Sequence, residues 1–207
     1  MARVRIHQHV NPLAKYYREL PVEPIDPEDF YSDPGLGIHL DIGCGRGGFL
    51  LKMAEENRER NFLGVEIREP LVDEANEKAK KKGLDNLHYV FCNATIDLDK
   101  LLANLESDRI EYVTIQFPDP WFKKRHAKRR MVKDAMIEAI AQKLSPKARV
   151  LVQTDVEFLF GEMKELFLQS GFIGEDISEN PLEVKTERET SVERRNLPVY
   201  RCLLKRK

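Results

Sequence analysis

Long apolar runs are missing from this 207-residue sequence. No stretch approaches the roughly 18 apolar residues of a membrane span, and a mean hydropathy of -0.50 with 33% charged residues describes a polar surface. Cysteine is scarce: Cys44, Cys92 and Cys202 lie far apart with no C-x-x-C pairing, which argues against a disulfide framework or a zinc knuckle. His7 and His9 stand alone near the start with no second ligand cluster at metal spacing, so no structural metal is expected. The opening MARVRIHQHVNPLAKYY carries positive charge with no apolar run behind it, unlike a secretory signal. Together these absences predict a cytoplasmic protein with no membrane and no metal partner, and leave monomer and homodimer both open.

An excess of either charge is also missing, for the net charge is -1. Its placement is uneven. Between Phe117 and Lys133, seven basic residues (Lys123, Lys124, Arg125, Lys128, Arg129, Arg130 and Lys133) face a single acid, Asp119, so this segment is +6 and the rest of the chain is -7. Such a chain keeps an acidic general surface while offering polyanions one local site. The N-terminal Arg3, Arg5, Lys15 and Arg18, with no acid among the first 18 residues, read either as further contacts for such a polyanion or as a basic disordered tail.

From about residue 37 short apolar runs alternate with amphipathic stretches, the pattern of strand-helix units around a parallel sheet. Strands are predicted at 38–42, 62–66, 87–91, 110–117 and 148–153. Phe49, Leu50, Met53 and Ala54, then Leu71, Ala75 and Ala79, then Ile137, Ile140 and Leu144, repeat at helical spacing. Two further strands, around Phe172 and over 199–204, flank a charged, turn-rich stretch and could pair as a hairpin at the sheet edge. The reading is a Rossmann-like α/β fold: a mostly parallel seven-stranded sheet with an antiparallel C-terminal edge strand and helices on both faces. Residues 1–36, with five prolines and little periodicity, are set apart as a basic, proline-rich arm; 37–207 form the domain, and 178–197 an insertion before the last strand.

Asp41-Ile42-Gly43-Cys44-Gly45-Arg46-Gly47-Gly48 follows a strand and opens a helix, so its glycines can bring backbone close to a ligand at the helix N-terminus. The loop fits two templates. Gly43, Gly45 and Gly48 satisfy the dinucleotide G-x-G-x-x-G, and Asp41, Gly43, Gly45 and Gly47 satisfy the D-x-G-x-G-x-G of methyltransferases. A carboxylate at Asp41 would repel a pyrophosphate but suits the sulfonium and ammonium of S-adenosylmethionine, which favours the second template. Glu66, 23 positions after Gly43, ends the next strand, where an acid can accept both ribose hydroxyls. Asn93 ends the third; its amide suits an adenine edge, and an ordinary turn explains it equally well.

The fourth strand runs into Phe117-Pro118-Asp119-Pro120-Trp121-Phe122-Lys123-Lys124-Arg125-His126. Two prolines stiffen the backbone around Asp119 at the carboxyl end of a strand, where open α/β sheets bind ligands. Amino-methylating enzymes carry a D/N-P-P-Y type loop at this place. A basic run beside Trp121 and Phe122 makes phosphate contact and base stacking jointly available, which points to nucleic acid over a merely solvated charged face. Asp155, after the fifth strand, can hold a base or a ribose hydroxyl, or cap the next helix.

With those motifs in view, D-I-G-C-G-R-G, G-V-E-I, F-P-D-P-W-x-K-K-R-H, T-D and T-E-R-E resemble the bacterial tRNA (guanine-N7)-methyltransferases, from about Gly37 to the C-terminus. The resemblance implies a class I methyltransferase that uses S-adenosylmethionine and acts on tRNA, at the variable-loop guanine of position 46. It implies Asp119 as the catalytic carboxylate, also at the cofactor, with Asp41, Gly43, Gly45, Gly47, Glu66 and Asn93 binding cofactor. Lys123, Asp155, Thr186 and Glu189 are implied to contact substrate. Three positions depart from the family pattern: Asp41 for a glutamate, Asn93 for an acid and Arg188 for an aromatic. A methyltransferase of another RNA or of protein, a noncatalytic RNA-binding protein and a dinucleotide oxidoreductase are the competing classes.

Overall fold

The computed structural model describes residues 10–207; Arg3, Arg5, His7 and His9 lie outside the described residues. Seven strands form one sheet in the order β3-β2-β1-β4-β5-β7-β6. They are β1 (Ile38–Ile42), β2 (Asn61–Glu66), β3 (Leu87–Phe91), β4 (Ile110–Gln116), β5 (Leu144–Thr154), β6 (Phe172–Asp176) and β7 (Tyr200–Arg206). β1 to β5 pair in parallel, while β7 runs antiparallel between β5 and β6. The antiparallel strand expected at the edge is therefore one place in from it, because β6 pairs along its outer side.

The helices are α1 (Lys15–Arg18), α2 (Gly48–Glu56), α3 (Glu69–Lys81), α4 (Ala94–Leu101), α5 (Asp134–Lys143), α6 (Glu157–Gln169) and α7 (Glu187–Arg194). Phe49, Leu50, Met53 and Ala54 of α2, and Leu71, Ala75 and Ala79 of α3, are buried as their spacing predicts. α3 carries Glu69 in its first turn and Lys78, Lys80 and Lys81 in its last, both favourable to the helix dipole. Leu144, assigned by periodicity to a helix with Ile137 and Ile140, instead opens β5, since α5 ends at Lys143 and the chain turns directly into the strand. The 178–197 stretch holds α7, which periodicity did not reveal because only Glu189 and Val192 of its eight residues are buried.

The two faces of the sheet differ chemically. Ile38, Leu40 and Ile42 of β1, Val113 and Ile115 of β4, and Val150 and Val152 of β5 share one apolar cluster with residues of α4, α5 and α6. Side chains alternate between faces in a strand, so His39, Asp41, Thr114, Gln116 and Gln153 lie on the other face. There, α2, α3, β2 and β3 enclose a second apolar cluster around Phe62 and Tyr89. Buried polar residues crossing from β1 to β7 are the price of a site at this edge, and each needs a partner.

The stretch before β1 is tied to the same core. Ile25 and Tyr31 are buried in the larger cluster, the Ile25 amide bonds to the Leu101 carbonyl at 2.9 Å, and the Tyr31 hydroxyl donates to the Phe62 carbonyl at 3.1 Å. The Arg109 guanidinium holds the Pro34, Gly35 and Leu36 carbonyls.

Candidate functional site

At the carboxyl ends of β1, β2 and β4, the loop 43–47 turns through three left-handed glycines, Gly43 (φ 82°), Gly45 (φ 59°) and Gly47 (φ 72°). A side chain in this conformation is strained. Gly47 is further restricted, since a Cβ there would stand 2.6 Å from the Tyr89 ring, whose hydroxyl donates to the Gly47 carbonyl at 2.6 Å. At Gly45 a Cβ would meet nothing within 4 Å; its amide donates to Glu66 Oε2 at 2.9 Å. The backbone faces open space there.

Asp41, 4% exposed, accepts from the Thr114 hydroxyl at 2.6 Å and from the Gln116 amide at 3.4 Å. Since Thr114 spends its proton on Asp41, its oxygen must accept from His39 Nε2, 3.1 Å away. Burial lowers the His39 pKa to about 3, so that ring is a neutral core donor. Burial raises the Asp41 pKa to about 6, against the pull of the Thr114 and Gln116 hydrogen bonds, with Glu66 pushing it further up.

Glu66 accepts from the Gly45 amide and from the backbone and guanidinium of Arg68, with Arg68 Nε to Oε1 at 2.9 Å. Asn93, 1% exposed, donates Nδ2 to the Pro12 carbonyl at 2.9 Å and to the Tyr17 carbonyl at 3.2 Å. The segment before α1 is thereby fastened over this end of the site, and Val10 and Pro12 form part of the cavity wall. Asn93 Oδ1 is buried with no hydrogen-bond partner among the described residues.

Asp119 sits between Phe117 (φ 51°) and Trp121 (φ 46°), both left-handed and neither glycine. Non-glycine residues in this region cost on the order of 1–3 kcal/mol each, and two of them bracket the Pro118-Asp119-Pro120 turn. Two cavities meet at this turn. One, of about 140 Å³, is lined by Glu66, Asn93 and Thr95; the other, of about 700 Å³, is lined by Asp41, Gly45, Phe122, Asp155 and Thr186. Arg68, Gln116, Pro118 and Asp119 border both.

The basic segment divides in two. Arg129 lies over the Trp121 ring at 5.0 Å; Arg130 donates to the Pro120 carbonyl at 3.0 Å and pairs with Glu162, so both fasten the Asp119 turn. Lys123, Lys124, Arg125 and Lys128 are exposed beside Phe122, itself 71% exposed. Lys124–Arg129 is a short 3-10 turn.

Asp155 does not cap α6, whose N-cap is Val156; it pairs with Arg188 at 2.5 Å. The Thr186 hydroxyl accepts from the Glu189 amide at 3.0 Å and caps α7. Glu189 is 0% exposed and forms the hub of a polar cluster. Its carboxylate accepts from Arg201 Nη2 at 2.8 Å, from Gln153 at 3.1 Å and from Asn180 at 2.8 Å. Gln153 in turn donates to Gln116 at 2.7 Å, linking the cluster to the neighbourhood of Asp41. The structure thus brings Asp41, Gly43, Gly45, Glu66, Asn93 and Asp119 around the paired cavities, with Asp155 and Thr186 on the wider one. Gly47 lies behind the loop against Tyr89, Lys123 stands exposed beyond the turn, and Glu189 lies on the buried face of α7.

Arg68, Arg201, Gln116 and Gln153 were missed from sequence. The signal was present: Gln116 and Gln153 are polar residues at strand ends, and Arg201 interrupts an apolar strand on the same face.

A family model described as "Putative methyltransferase" matches residues 37–202. A tRNA (guanine-N(7)-)-methyltransferase of Trichormus variabilis is 50% identical over 208 residues, covering 98% of this chain and 96% of that protein. One from a Synechocystis species is 48% identical over 211 residues, with 100% and 99% covered. Among solved structures, a SAM-dependent methyltransferase of Aquifex aeolicus superposes with a TM-score of 0.54 at 16% identity, over 86% of this chain and 88% of that one, a likeness of fold.

Proposed function

The chain belongs to this methyltransferase family, alongside its tRNA (guanine-N(7)-)-methyltransferases, and on that footing we propose that it methylates N7 of guanine in tRNA, at the variable-loop guanine of position 46, in the cytoplasm. The observation that carries the reading is the strained Asp119 turn, which borders both cavities and so faces a methyl donor on one side and a base on the other.

The smaller cavity together with the adjoining part of the wider one, at Gly45 and Asp41, fits S-adenosylmethionine. Asn93 Oδ1, buried without a partner among the described residues, suits the adenine amino group. Glu66 suits the ribose hydroxyls, and the open backbone at Gly45 leaves room for the chain that leads to Asp41. Bound there, S-adenosylmethionine supplies an electrophilic methyl group on a cationic sulfur. Asp41, ionised, balances the cofactor's positive charge.

The remainder of the wider cavity, toward Phe122, Asp155 and Thr186, takes the base. Guanine N7 carries an in-plane lone pair, so no proton need leave before transfer, and the protein's task is placement and charge. Asp119 accepts hydrogen bonds from the N1-H and 2-amino edge and strengthens them as the ring becomes cationic. The two left-handed residues and the Arg130 bond to Pro120 keep this carboxylate from relaxing. Lys123, Lys124, Arg125 and Lys128 draw in the RNA backbone, Phe122 offers a ring for stacking, and Asp155 and Thr186 bound the base from the far wall.

Incubation with labelled S-adenosylmethionine and unmodified tRNA, then reduction and aniline treatment, tests the assignment. Label in tRNA with strand cleavage at a variable-loop guanine is expected. Label at a base that resists cleavage, or none, contradicts it.

A further inference from the structure

We propose that Gln153 is a positioning residue for the methyl-donor site: it holds the Gln116 amide with an N–H toward the Asp41 carboxylate, and takes that direction from Arg201 of β7 and Glu189 of α7. The proposal rests on the donor reading above. Its basis is register and a count of donors. Gln116 of β4 stands beside Gln153 of β5, and Gln153 beside Arg201 of β7, so three polar side chains line up across the sheet on the face that carries Asp41.

The two ends of a glutamine amide have nearly the same shape, and only hydrogen-bond partners decide which end faces where. At Gln153 two of the partners carry charge. Arg201 has donors alone, and its Nε–H reaches Gln153 Oε1 at 3.0 Å; the Glu189 carboxylate accepts one Gln153 N–H at 3.1 Å. The second N–H goes to Gln116 Oε1 at 2.7 Å. With its oxygen engaged, Gln116 presents Nε2 to Asp41 Oδ1 at 3.4 Å. Turning Gln153 over would set N–H against the Arg201 guanidinium and oxygen against Glu189, and the burial of all three groups makes both contacts costly. The chain of donors therefore runs one way, from a cation on β7 to a carboxylate on β1.

Gln153 is fully buried and borders neither cavity, whereas Gln116 borders both. Its effect on the donor consequently passes through Gln116. Without Gln153, the Gln116 amide is free to turn its oxygen toward Asp41, and the carboxylate exchanges a donor for a repelling lone pair, which disfavours its charged form. The other groups around Asp41 are His39 behind Thr114, Cys44 in the glycine loop, Glu66 at the end of β2, paired with Arg68, and Tyr89 of β3. Burial keeps the His39 ring, the Cys44 thiol and the Tyr89 phenol neutral. Gln153 bonds to none of these groups, so its loss reaches Asp41 through Gln116 alone.

The test is calorimetric titration of Gln153→Met and wild type with S-adenosylhomocysteine and with adenosine, between about pH 5 and about pH 8. In wild type the affinity for S-adenosylhomocysteine falls below about pH 6, as Asp41 protonates. In Gln153→Met the fall should begin about half a pH unit higher, because a hydrogen bond to a charged group is worth about one to two units and this one is long. Adenosine should keep its wild-type affinity. In a Gln116→Met background, Gln153→Met should move the midpoint no further, since the group it positions is gone. Where Gln153→Met does not fold, Gln153→Asn carries the same expectation, for its amide ends one methylene short of Gln116. An unmoved midpoint in a variant that binds adenosine normally, an equal shift in the Gln116→Met background, or a loss of adenosine affinity of about tenfold overturns the proposal. A wild-type protein that binds S-adenosylhomocysteine with no pH dependence takes Asp41 out of the charge balance and overturns it too. One that does not bind S-adenosylhomocysteine overturns the donor reading itself.

Discussion

On the donor side, backbone sets the shape of the loop: three left-handed glycines turn it, and at Gly45 a Cβ would meet nothing within 4 Å, so the cavity has open space there. On the acceptor side the wall is made of side chains whose order depends on buried charge, with Glu189 of α7 and Arg201 2.8 Å apart and both at most 5% exposed. The difference teaches where each half is vulnerable. A backbone cradle tolerates change away from its glycines, whereas a buried ion pair is costly to leave half made.

Arg201→Met probes that contrast most severely. It strips Glu189 of its cation while Asn180 and Gln153 still bond it, and about 3–5 kcal/mol of stability should go. At about 2–4 °C per kcal/mol for a chain of this size, thermal unfolding should show a fall of about 10 °C. An unchanged melting temperature would break the comparison, for the acceptor side would then not depend on buried charge.

The donor side's own charge is tested by pH. The Asp41 pKa is raised to about 6, chiefly by burial, so in the empty enzyme the neutral acid persists up to that pH and the carboxylate is present above it. Affinity for a cationic ligand is therefore full above about pH 7 and falls toward tenfold per pH unit below 6, in the limit of one linked proton. Calorimetric titration with S-adenosylhomocysteine, whose ammonium carries the charge, reads this directly; adenosine, lacking that charge, should bind without the dependence. Equal pH profiles for the two ligands would remove Asp41 from the charge balance.

A smaller effect belongs to the exposed cations. Lys123→Ala should lower tRNA affinity and reduce the slope of log affinity against log salt by about 0.9 if the contact is to duplex. Arg129 and Arg130, engaged with Trp121, Pro120 and Glu162, belong instead to the turn that holds Asp119. A salt slope unaltered by Lys123→Ala would take that side chain off the phosphate path.

The same contrast explains what the sequence disclosed. Asp41, the glycines and Glu66 could be read because a strand, a turn and a helix N-terminus follow each other within a few residues and their chemistry is local. Asp119 was legible for the same reason, though not the left-handed Phe117, since a residue before proline is expected in extended backbone. Glu189, by contrast, looks like an exposed residue of a charged stretch, and only the fold brings Arg201, Gln153 and Asn180 around it. The Arg68 bonds to Glu66 span two residues and still escaped notice, because the strand end and the cap of α3 had to be placed before the two side chains could be seen to share a face.

The central claim is that Asp119 stabilises the charge that develops on the base, and one measurement bears on it most directly. Single-turnover methyl transfer by Asp119→Asn, with donor and tRNA both saturating, should be about 100-fold slower than wild type, as for loss of one preorganised electrostatic group, while the dissociation constants of S-adenosylhomocysteine and tRNA change less than about threefold. A wild-type rate in that variant, or a loss confined to binding, would contradict the account.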